Sequence, residues 1–436
     1  MDPITTEPEQ EENGISQSRM GHVRWTICAL IFAATTLNYM DRMVLGILKP
    51  TIQQNIGMSQ AGYGWIVVAF QIAYAAGMLV MGRFIDRVGT RAGYLLVMVV
   101  WSLSAWGHAL ADSVMEFAVA RFFLGLGESG NFPVAIKTVA EWFPQSERSL
   151  ATGLFNSGTN LGAIIAPIAV PWIVLTFHTW HAGFLITSVF STIWVILWFL
   201  YYRKPSEHPR LGAAELKYIN EGKAEAPPKP ATSWLKLFAH RQCWAFVVGK
   251  FLTDPIWWFY LFWLPSYFNS KFHLDLAHLG LPLIIVYSAA TVGSIFGGWL
   301  PAPFHKLGMS NTRARMGAML VCACAVIPIF TVAYVNNEWT SIALLSLATA
   351  AHQGWSANLF TTVSDMFPRS EVASVTGIGG TAGAIGGALI AAAAGLILQY
   401  MHTYAPLFVI AASAYLIAWV FILALAPGLK KVEMAA

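Results

Sequence analysis

Four ionisable side chains lie inside long apolar stretches of this sequence. Asp41 and Arg42 are adjacent in "NYMDR", and Arg121 and Glu128 are seven residues apart in "RFFLGLGES". A carboxyl group removed from water can take up and release a proton, and a guanidinium can bind a carboxylate through two parallel hydrogen bonds. The four residues therefore suit the coupled binding of protons and an organic anion.

Helical geometry predicts how these groups are arranged. Seven residues of an α-helix advance about 10 Å and return almost to the same face, so Arg121 and Glu128 line one path without direct contact. Asp41 and Arg121 fall at similar depth, which predicts an ion pair between them. Arg42 points away from Asp41 and is left to bind a carboxylate, while Asp41 and Glu128 carry protons and Arg121 couples them. The alternative is that these charges form buried ion pairs that only hold helices together.

A second set of polar and aromatic side chains reaches the middle of other apolar stretches. Lys250 and Asp254 are four residues apart and can pair on one helix face, and Pro255 favours a bend there. Neutral donors, acceptors and aromatic faces suit a polyhydroxy acid. Helix packing is the alternative role for each of them. Besides Arg42, the predicted substrate-binding residues are Gln71, Tyr74, Asn156, Thr159, Asn160, Lys250, Asp254, Trp257, Trp258, His352, Gln353 and Asn358.

Membrane-spanning helices are the elements that must position these residues. The chain has 436 residues, of which 56% are hydrophobic and 11% charged, whereas soluble domains carry roughly 25% charged residues. Most of the chain must therefore face lipid. Twelve runs reach the length of about 20 residues that crosses a bilayer. They are 23–48, 61–82, 92–111, 114–138, 149–173, 182–202, 242–268, 278–300, 314–335, 339–361, 371–398 and 404–426.

The basic residues predict the orientation of these spans. With the N-terminus inside, 20 of the 26 Lys and Arg residues lie in cytoplasmic segments, and only Lys49 and Lys271 lie in outside loops. This bias predicts that both termini are cytoplasmic. The polar stretch between the sixth and seventh spans contains "AAELKYIN", which can form a helix. The predicted organisation is a tail (1–22), a six-helix bundle (23–202), a linker (203–241), a second six-helix bundle (242–426) and a tail (427–436).

One stretch of sixteen residues occurs twice. "TVAEWFPQSERSLATG" begins at Thr138 and "TVSDMFPRSEVASVTG" begins at Thr362, and eight positions are identical. Both copies join an even-numbered span to the next span on the predicted cytoplasmic side. A repeat of this length and spacing indicates that one six-helix unit was used twice, an arrangement found in many secondary transporters.

Several motifs resemble those of a known superfamily. "GRFIDRVGTRAGY" resembles the G-x-L-x-D-R-x-G-x-R loop signature of the major facilitator superfamily, with Phe84 in place of Leu. The corresponding loop of the second half lacks the Asp. "RFFLGLGESGNFPVAIKTVAEWFP" and "AHQGWSANLFTTVSDMFPRSEVASVTG", with "NYMDR", resemble the anion:cation symporter family, and within it the bacterial hexuronate transporters.

The resemblance implies a secondary active transporter of the cell inner membrane. It implies symport of a sugar-acid anion, a hexuronate such as glucuronate or galacturonate, with protons by alternating access. An aldonate or another carboxylate is the alternative cargo, and sodium is the alternative coupling ion because carboxylates serve both. Cytoplasmic charges and glycines are predicted to gate transport by locking the outward-facing state. These gating residues are Gly82, Asp86, Arg87, Gly89, Arg91, Glu147, Arg148, Arg369 and Glu371.

Other functional classes find less support in the sequence. The sequence has no H-E-x-x-H metal motif, nucleophile elbow or phosphate loop, which argues against a polytopic membrane enzyme. The linker is too short for a signalling domain, which argues against a sensor built on a transporter scaffold. We expect no cofactor, no metal site and no nucleic-acid partner, and we expect a monomer in the lipid bilayer.

Overall fold

The protein is built from α-helices. A computed structural model describes residues 21–144, 146–221 and 234–432, and these residues contain no β-strand. The all-α prediction is therefore confirmed. The helices are α1 (Val23–Ile56), α2 (Gln60–Val88), α3 (Thr90–Ala109), α4 (Val114–Glu128), α5 (Asn131–Trp142), α6 (Arg148–Phe177), α7 (His181–Tyr201), α8 (Ala213–Asn220), α9 (Trp234–Phe238), α10 (Arg241–Phe272), α11 (Gly280–Trp299), α12 (Pro301–Lys306), α13 (Asn311–Val326), α14 (Glu338–Met366), α15 (Arg369–Met401) and α16 (Ala405–Leu425).

Eight helical segments of the described residues are long and apolar enough to cross a membrane. They are Gln60–Val88, Thr90–Ala109, Leu150–Phe177, His181–Tyr201, Gly280–Lys306, Asn311–Ala333, Ser374–Met401 and Ala405–Leu425. Each coincides with a span predicted from the sequence. Many helices of the chain are therefore suited to a membrane, and the count of twelve spans stays a prediction.

The other four predicted spans fall on α1, α4 with α5, α10 and α14. The helix α4 has only 15 residues. The other three carry ionisable or amide side chains within their apolar stretches, and these side chains lower the mean hydropathy. The same four spans hold most of the predicted proton-coupling and substrate-binding residues. The polar side chains that lower the hydropathy of these helices are therefore also the side chains that make them candidates for function.

One predicted span is interrupted and another is not. The span 114–138 breaks at Ser129 and Gly130, so that α4 ends at Glu128 and α5 begins at Asn131. By contrast, α10 continues as a single helix through Pro255, and the bend predicted there stays a prediction. Ser129 and Gly130 keep right-handed helical φ and ψ angles, so the interruption is confined to the hydrogen-bond ladder and leaves Glu128 at its edge.

We call α1–α7 the N-terminal half and α10–α16 the C-terminal half. The main packing between them joins α2 to α15, α6 to α11 and α1 to α10. At the predicted outer end, the Tyr63 hydroxyl donates to the Phe262 carbonyl at 2.8 Å, and the backbone N–H of Gln60 donates to the Gln399 side chain at 3.1 Å. The two halves are therefore in contact at that end.

The linker helix α8 packs on the N-terminal half. It covers the "AAELKYIN" segment, as the sequence indicated. The Glu215 carboxylate is fully buried and accepts hydrogen bonds from the backbone N–H groups of Val23 and Arg24, both at 3.2 Å. These N–H groups have no partner within a helix, so Glu215 caps α1 from a distant part of the chain. Residues 1–20 of the predicted tail, and 222–233 of the predicted linker, lie outside the described residues.

Candidate functional site

An ion pair joins α1 to the broken end of α4. Arg42 donates from Nε to Oε2 of Glu128, and both side chains are almost completely removed from solvent. Glu128 lies at the end of α4, and its charged partner Arg42 comes from α1. Two opposite charges so deeply buried are stable together, but removing either one leaves the other charge uncompensated.

Four aromatic rings surround the guanidinium of Arg42. Its central carbon lies 4.7 Å from the ring centre of Tyr74, 5.0 Å from Tyr39, 5.1 Å from Trp258 and 5.5 Å from Phe70. Three of these rings belong to the N-terminal half, and Trp258 belongs to α10. The faces of aromatic rings attract cations. Arg42 is therefore stabilised by neutral groups as well as by Glu128, and the site spans both halves.

The predicted ion pair between Asp41 and Arg121 is not formed in this structure, so that prediction is wrong. Oδ2 of Asp41 accepts hydrogen bonds from Trp101 Nε1 at 2.8 Å and from Ser191 Oγ at 3.1 Å. Arg121 instead donates from Nη2 to the backbone carbonyl of Arg42 at 3.1 Å. The depth count placed these charges at compatible levels but could not give the rotation of α1, which turns Asp41 toward α3 and α7 and Arg42 toward α4.

Several buried polar atoms near Arg42 have no hydrogen-bond partner among the described residues. They are Nη2 of Arg42, Nε and Nη1 of Arg121, Oε1 of Glu128, and both amide atoms of Asn38 and Gln71. Buried polar groups in proteins are nearly always hydrogen-bonded. A concentration of unused donors and acceptors around a guanidinium suits a ligand with a carboxylate and hydroxyl groups.

The C-terminal half contributes a second group of predicted site residues. Lys250 and Asp254 pair with each other at 2.6 Å on α10. Trp257 stacks on His352, with parallel rings 5.1 Å apart, and His352 shares a hydrogen bond of 2.6 Å with the Tyr415 hydroxyl. His352 is therefore part of an aromatic contact between α10, α14 and α16, which agrees with the hydrogen-bonding alternative for it.

Two other predicted contacts lie apart from the Arg42 cluster. Asn358 donates from Nδ2 to the carbonyls of Gly297 at 2.7 Å and Gly354 at 2.9 Å, so it ties α14 to α11. Gln353, the residue before Gly354, is half-buried. These bonds give Asn358 a packing role in this structure.

The three predicted α6 residues form a separate group. Asn156 is exposed, Thr159 and Asn160 are half-buried, and the Thr159 hydroxyl donates to the Asn156 carbonyl at 2.9 Å. Among the described residues, no hydrogen bond or ion pair joins this group to Arg42. Their role in binding stays a prediction.

The predicted gating residues make contacts within their own halves. Asp86 pairs with Lys137 at 2.8 Å, a partner that the sequence did not suggest. Arg148 donates to the Phe143 carbonyl at 3.2 Å, and Asp365 pairs with Arg315 at 2.6 Å. The predicted lock requires the cytoplasmic ends to meet. It stays a prediction because this structure is closed at the other end.

The remaining gating residues follow the same pattern. Arg91 donates to the Phe199 carbonyl at 3.1 Å, and Arg87 is exposed. Gly89 has φ 82°, a conformation that favours glycine at this turn. Glu371 is buried at the start of α15, and the side chain of Arg369 lies outside the described residues.

Glu147 belongs to a cluster with the linker, on the predicted cytoplasmic side. It pairs with Arg24 at 2.9 Å and accepts a hydrogen bond from the Tyr218 hydroxyl at 3.0 Å. Burial alone would raise the pKa of the Glu147 carboxyl, but the bonds from Arg24 and Tyr218 outweigh burial and hold the pKa below its ordinary value. Glu147 is therefore a charged anchor for α1 and α8.

Some residues of the site escaped the sequence analysis. Tyr39 and Phe70 surround Arg42, and Trp101 and Ser191 hold Asp41. A helical signal was available for the first two, because Tyr39 precedes Arg42 by one turn and Phe70 precedes Tyr74 by one turn. The partners of Asp41 come from two helices far along the chain, and no spacing in the sequence indicates them.

Comparison with known proteins gives a consistent picture. The family described as Major Facilitator Superfamily matches residues 31–391. The hexuronate transporter of Escherichia coli (strain K12) is 32% identical over 400 residues, covering 89% of this chain and 91% of that protein. The galacturonate transporter of Dickeya chrysanthemi is 31% identical over 323 residues, covering 72% and 93%. The D-galactonate transporter of E. coli O6:H1 is 27% identical over 434 residues, covering 96% and 99%.

Solved structures share the fold. The D-xylose–proton symporter superposes with a TM-score of 0.73 at 14% identity, covering 94% of this chain and 99% of that one. A bacterial homologue of the human lysosomal transporter Spinster, in an inward-facing and unoccupied conformation, gives 0.68 at 16% identity, covering 95% and 97%. The family match and these relatives lead to one conclusion. This chain belongs to the Major Facilitator Superfamily and is a multi-pass membrane transporter, of the inner membrane in a bacterium, rather than an enzyme.

Proposed function

We propose that the protein is a proton-coupled symporter of a sugar-acid anion, with a hexuronate such as glucuronate or galacturonate as its substrate. The observation that carries the proposal is the buried pair of Arg42 and Glu128 inside the aromatic cluster. The names of the relatives, which are hexuronate, galacturonate and galactonate transporters, support the substrate class.

The chemistry of the pair explains how proton and anion binding can be linked. While Glu128 is ionised, it occupies the guanidinium of Arg42 and competes with a substrate carboxylate for it. When Glu128 takes up a proton, it loses its charge, and Arg42 is free to bind the carboxylate through its forked donors. Binding one substrate carboxylate and one proton leaves the charge of the site unchanged, so that neither is favoured alone.

Neighbouring groups would complete this site. Arg121 donates to the backbone carbonyl of Arg42, and the carboxylate of Asp41, one residue before Arg42, accepts from Trp101 on another side of α1. We infer that Asp41 serves as a further proton carrier. The unpaired amides of Asn38 and Gln71 would bond to the hydroxyl groups of the sugar acid.

We infer that the two halves, joined by residues 203–241, alternate around this site. The contact of Trp258 with Arg42 supports this, because the C-terminal half would feel a change in the state of the N-terminal pair. The two halves are in contact at the outer end in this structure, and a similar solved structure is inward-facing. Both observations are compatible with the inward-facing end state.

Uptake into proteoliposomes tests the function. Purified protein is supplied with labelled glucuronate, with and without an inward proton gradient, and a sodium gradient serves as a third arm. We expect the proton gradient to accelerate uptake by the wild type. Glu128→Gln should lose this acceleration and keep exchange of labelled for unlabelled substrate. Glu207→Gln, an exposed linker residue, is the matched control.

Competition identifies the substrate class. Unlabelled galacturonate, galactonate and glucarate are added in turn to the glucuronate assay. Strong inhibition by galactonate with weak inhibition by galacturonate would favour the aldonate alternative. Uptake that ignores the proton gradient in both the wild type and Glu128→Gln would refute proton coupling through Glu128.

A further inference from the structure

A lysine at the predicted outer end is buried in the contact between the halves. The sequence placed Lys49 in an outside loop, and this is wrong, because α1 continues through it to Ile56 and its side chain is fully buried. Its ammonium donates to Oε1 of Gln60 at 2.7 Å. The rings of Tyr63 and Trp263 lie 4.4 and 5.9 Å from Nζ.

Closure of the outer end is what buries Lys49. Two of its neighbours, Gln60 and Tyr63, bond directly to the C-terminal half through Gln399 and the Phe262 carbonyl. Trp263 approaches from α10. If the two halves separated at this end, Lys49 would lose its cover and meet water.

Among the residues that the structure describes, no carboxylate pairs with Lys49. Arg24, Arg42 and Lys250 are buried cations, and each pairs with a carboxylate. Within the described ranges, Lys49 has no ion pair with a carboxylate, and its hydrogen-bond partner is a neutral amide. A buried ammonium without an anion is costly. The ammonium of Lys49 is therefore suited to bind an anion that reaches it only when the outer end opens.

A half-open cleft with polar and apolar walls borders this closure. It has a volume of about 610 Å³, and Gln60, the partner of Lys49, forms part of its wall. Both halves line it, with Gln53 and Gln54 from α1 and with Asn269 and Lys271 from the end of α10. Amide groups and a second cation suit a small anion that carries several hydroxyl groups.

Lys49 also lies on the path to Arg42. It follows Arg42 by seven residues of one helix, so it sits about 10 Å further out on nearly the same face. An anion released from Lys49 toward the middle of the protein would meet the guanidinium of Arg42 next.

We propose that Lys49, together with the cleft beside the closure, forms an outer capture site that binds the carboxylate of the incoming sugar acid before Arg42 does. This rests on the proposed function, because it requires an organic anion that enters from this end. In the closed form, Gln60 and the two rings hold the ammonium. In the open form, the substrate carboxylate replaces them.

Transport kinetics measured from each side of the membrane test this site. Labelled glucuronate is offered to the outer face in proteoliposomes and to the cytoplasmic face in a preparation of opposite orientation. Lys49→Met removes the charge, and Lys49→Arg keeps it. Gln60→Glu places a carboxylate beside the ammonium, where it competes with the substrate. Lys306→Met, at an exposed cytoplasmic position, is the control.

We expect Lys49→Met and Gln60→Glu to raise the half-saturating concentration at the outer face about tenfold. Lys49→Arg and Lys306→Met should stay close to the wild type, and no variant should change half-saturation at the cytoplasmic face. Gln60→Glu keeps the shape of the closure, so it decides the question if Lys49→Met does not fold.

Different failures have different signatures. Unchanged outer half-saturation in Lys49→Met and Gln60→Glu would overturn the capture site while leaving the proposed function intact. Equal changes at both faces, or a defect in Lys49→Arg as large as that in Lys49→Met, would show a structural role only and also overturn it. A wild type without saturable uptake of any sugar acid would overturn the proposed function and the capture site together.

Discussion

Arg42 is bound at the same time by a carboxylate and by aromatic faces, and this combination decides what can replace it. Glu128 uses Nε, the rings of Tyr74 and Trp258 approach the planar guanidinium, and Nη2 has no partner among the described residues. A planar, delocalised cation can meet all these groups at once. An ammonium is a compact point charge, which can bond to one carboxylate but cannot present a fork to a second.

Arg42→Lys should therefore weaken substrate binding although the charge is kept. We expect the affinity for glucuronate to fall at least about tenfold, because one charge-assisted hydrogen bond and the stacking surface are lost. Calorimetric titration of the detergent-solubilised protein measures it. Arg83→Lys, at an exposed position of α2, should bind as the wild type does. Equal affinity of Arg42→Lys and the wild type would contradict the role given to Arg42.

The sequence indicated which residues gather at the site but not how they pair. The rarity of charges in apolar stretches was enough to single out Arg42, Arg121 and Glu128, because membrane charges are costly. The pairing depends on the rotation of α1 and on the break after Glu128, and both are set by packing against other helices. The sequence also places Lys49 in a loop, because the apolar run ends before it. The helix α1 continues beyond that run, and hydropathy does not show where it ends.

At the scale of elements, close helix packing depends on glycines that are easily recognised only in the structure. Gly293 and Gly297 of α11 lie directly against α14, where a Cβ on Gly297 would collide with the backbone of Gly354. Small residues that let helix backbones approach are the usual basis of helix association in membranes. The sequence shows two adjacent glycines, Gly297 and Gly298, and gives no reason to treat them differently.

Gly297→Val and Gly298→Val should differ sharply. The backbone of Gly354 cannot move away as a flexible side chain could, so Gly297→Val should force α11 and α14 apart and lower the apparent melting temperature by several degrees. A Cβ on Gly298 meets nothing within 4 Å, so Gly298→Val should melt close to the wild type. Thermal unfolding in one detergent measures both variants. Similar melting temperatures would contradict the packing described for α11 and α14.

Helix propensity predicts the linker helix α8, and charged side chains fix its position on the N-terminal half. The segment "AAELKYIN" has good helix formers, but its attachment to α1 depends on contacts with Glu147 and Arg24, which lie far away in the sequence. Sequence patterns identify such a helix and not its docking site, because the docking site is formed by two other helix termini.

Acid should weaken this attachment. The pKa of Glu147 is held below its ordinary value by Arg24 and Tyr218. A carboxyl with a lowered pKa in the folded state adds stability above its ordinary pKa, and that stability is lost as the pH falls through the folded pKa. The wild type should therefore melt above Glu147→Gln at about pH 7, and the difference should shrink toward about pH 4. A difference in melting temperature that is independent of pH would contradict this.

At the scale of the whole molecule, the repeated sixteen residues have equivalent positions in the two halves. Glu141 accepts hydrogen bonds from Thr90 at 2.5 Å and Tyr202 at 2.6 Å, and its counterpart Asp365 pairs with Arg315. Thr90 and Arg315 both lie in the first turns of the third long helix of their half. Each repeat therefore anchors a helix start on its own side. The repeat predicts internal symmetry. It does not determine whether the two halves close at the outer end or at the cytoplasmic end.

The choice between the two closed ends can be shifted at two glycines of α2. A Cβ on Gly64, near the predicted outer end, would lie 2.8 Å from the Ala391 carbonyl of α15, whereas a Cβ on Gly82, near the cytoplasmic end, meets nothing within 4 Å. Gly64→Leu should therefore disfavour the shape seen here. Gly82→Leu should leave this shape intact and obstruct the opposite one, in which the cytoplasmic ends close. One substitution on the same helix then biases the equilibrium in each direction.

Distances between spin labels at the cytoplasmic ends of the two halves measure the outcome. We expect Gly82→Leu to favour the longer distances and to lose any shorter population. Gly64→Leu should shift the distribution toward short distances. Both should slow exchange of labelled glucuronate, because a cycle needs both end states, while glucuronate binding persists in Gly82→Leu, whose Arg42 site is untouched. If the two variants give the same distance distribution as the wild type, the free-energy balance between the end states does not depend on how closely α2 and α15 approach each other. Alternation would then have to be controlled at another contact between the halves, such as that of α6 with α11.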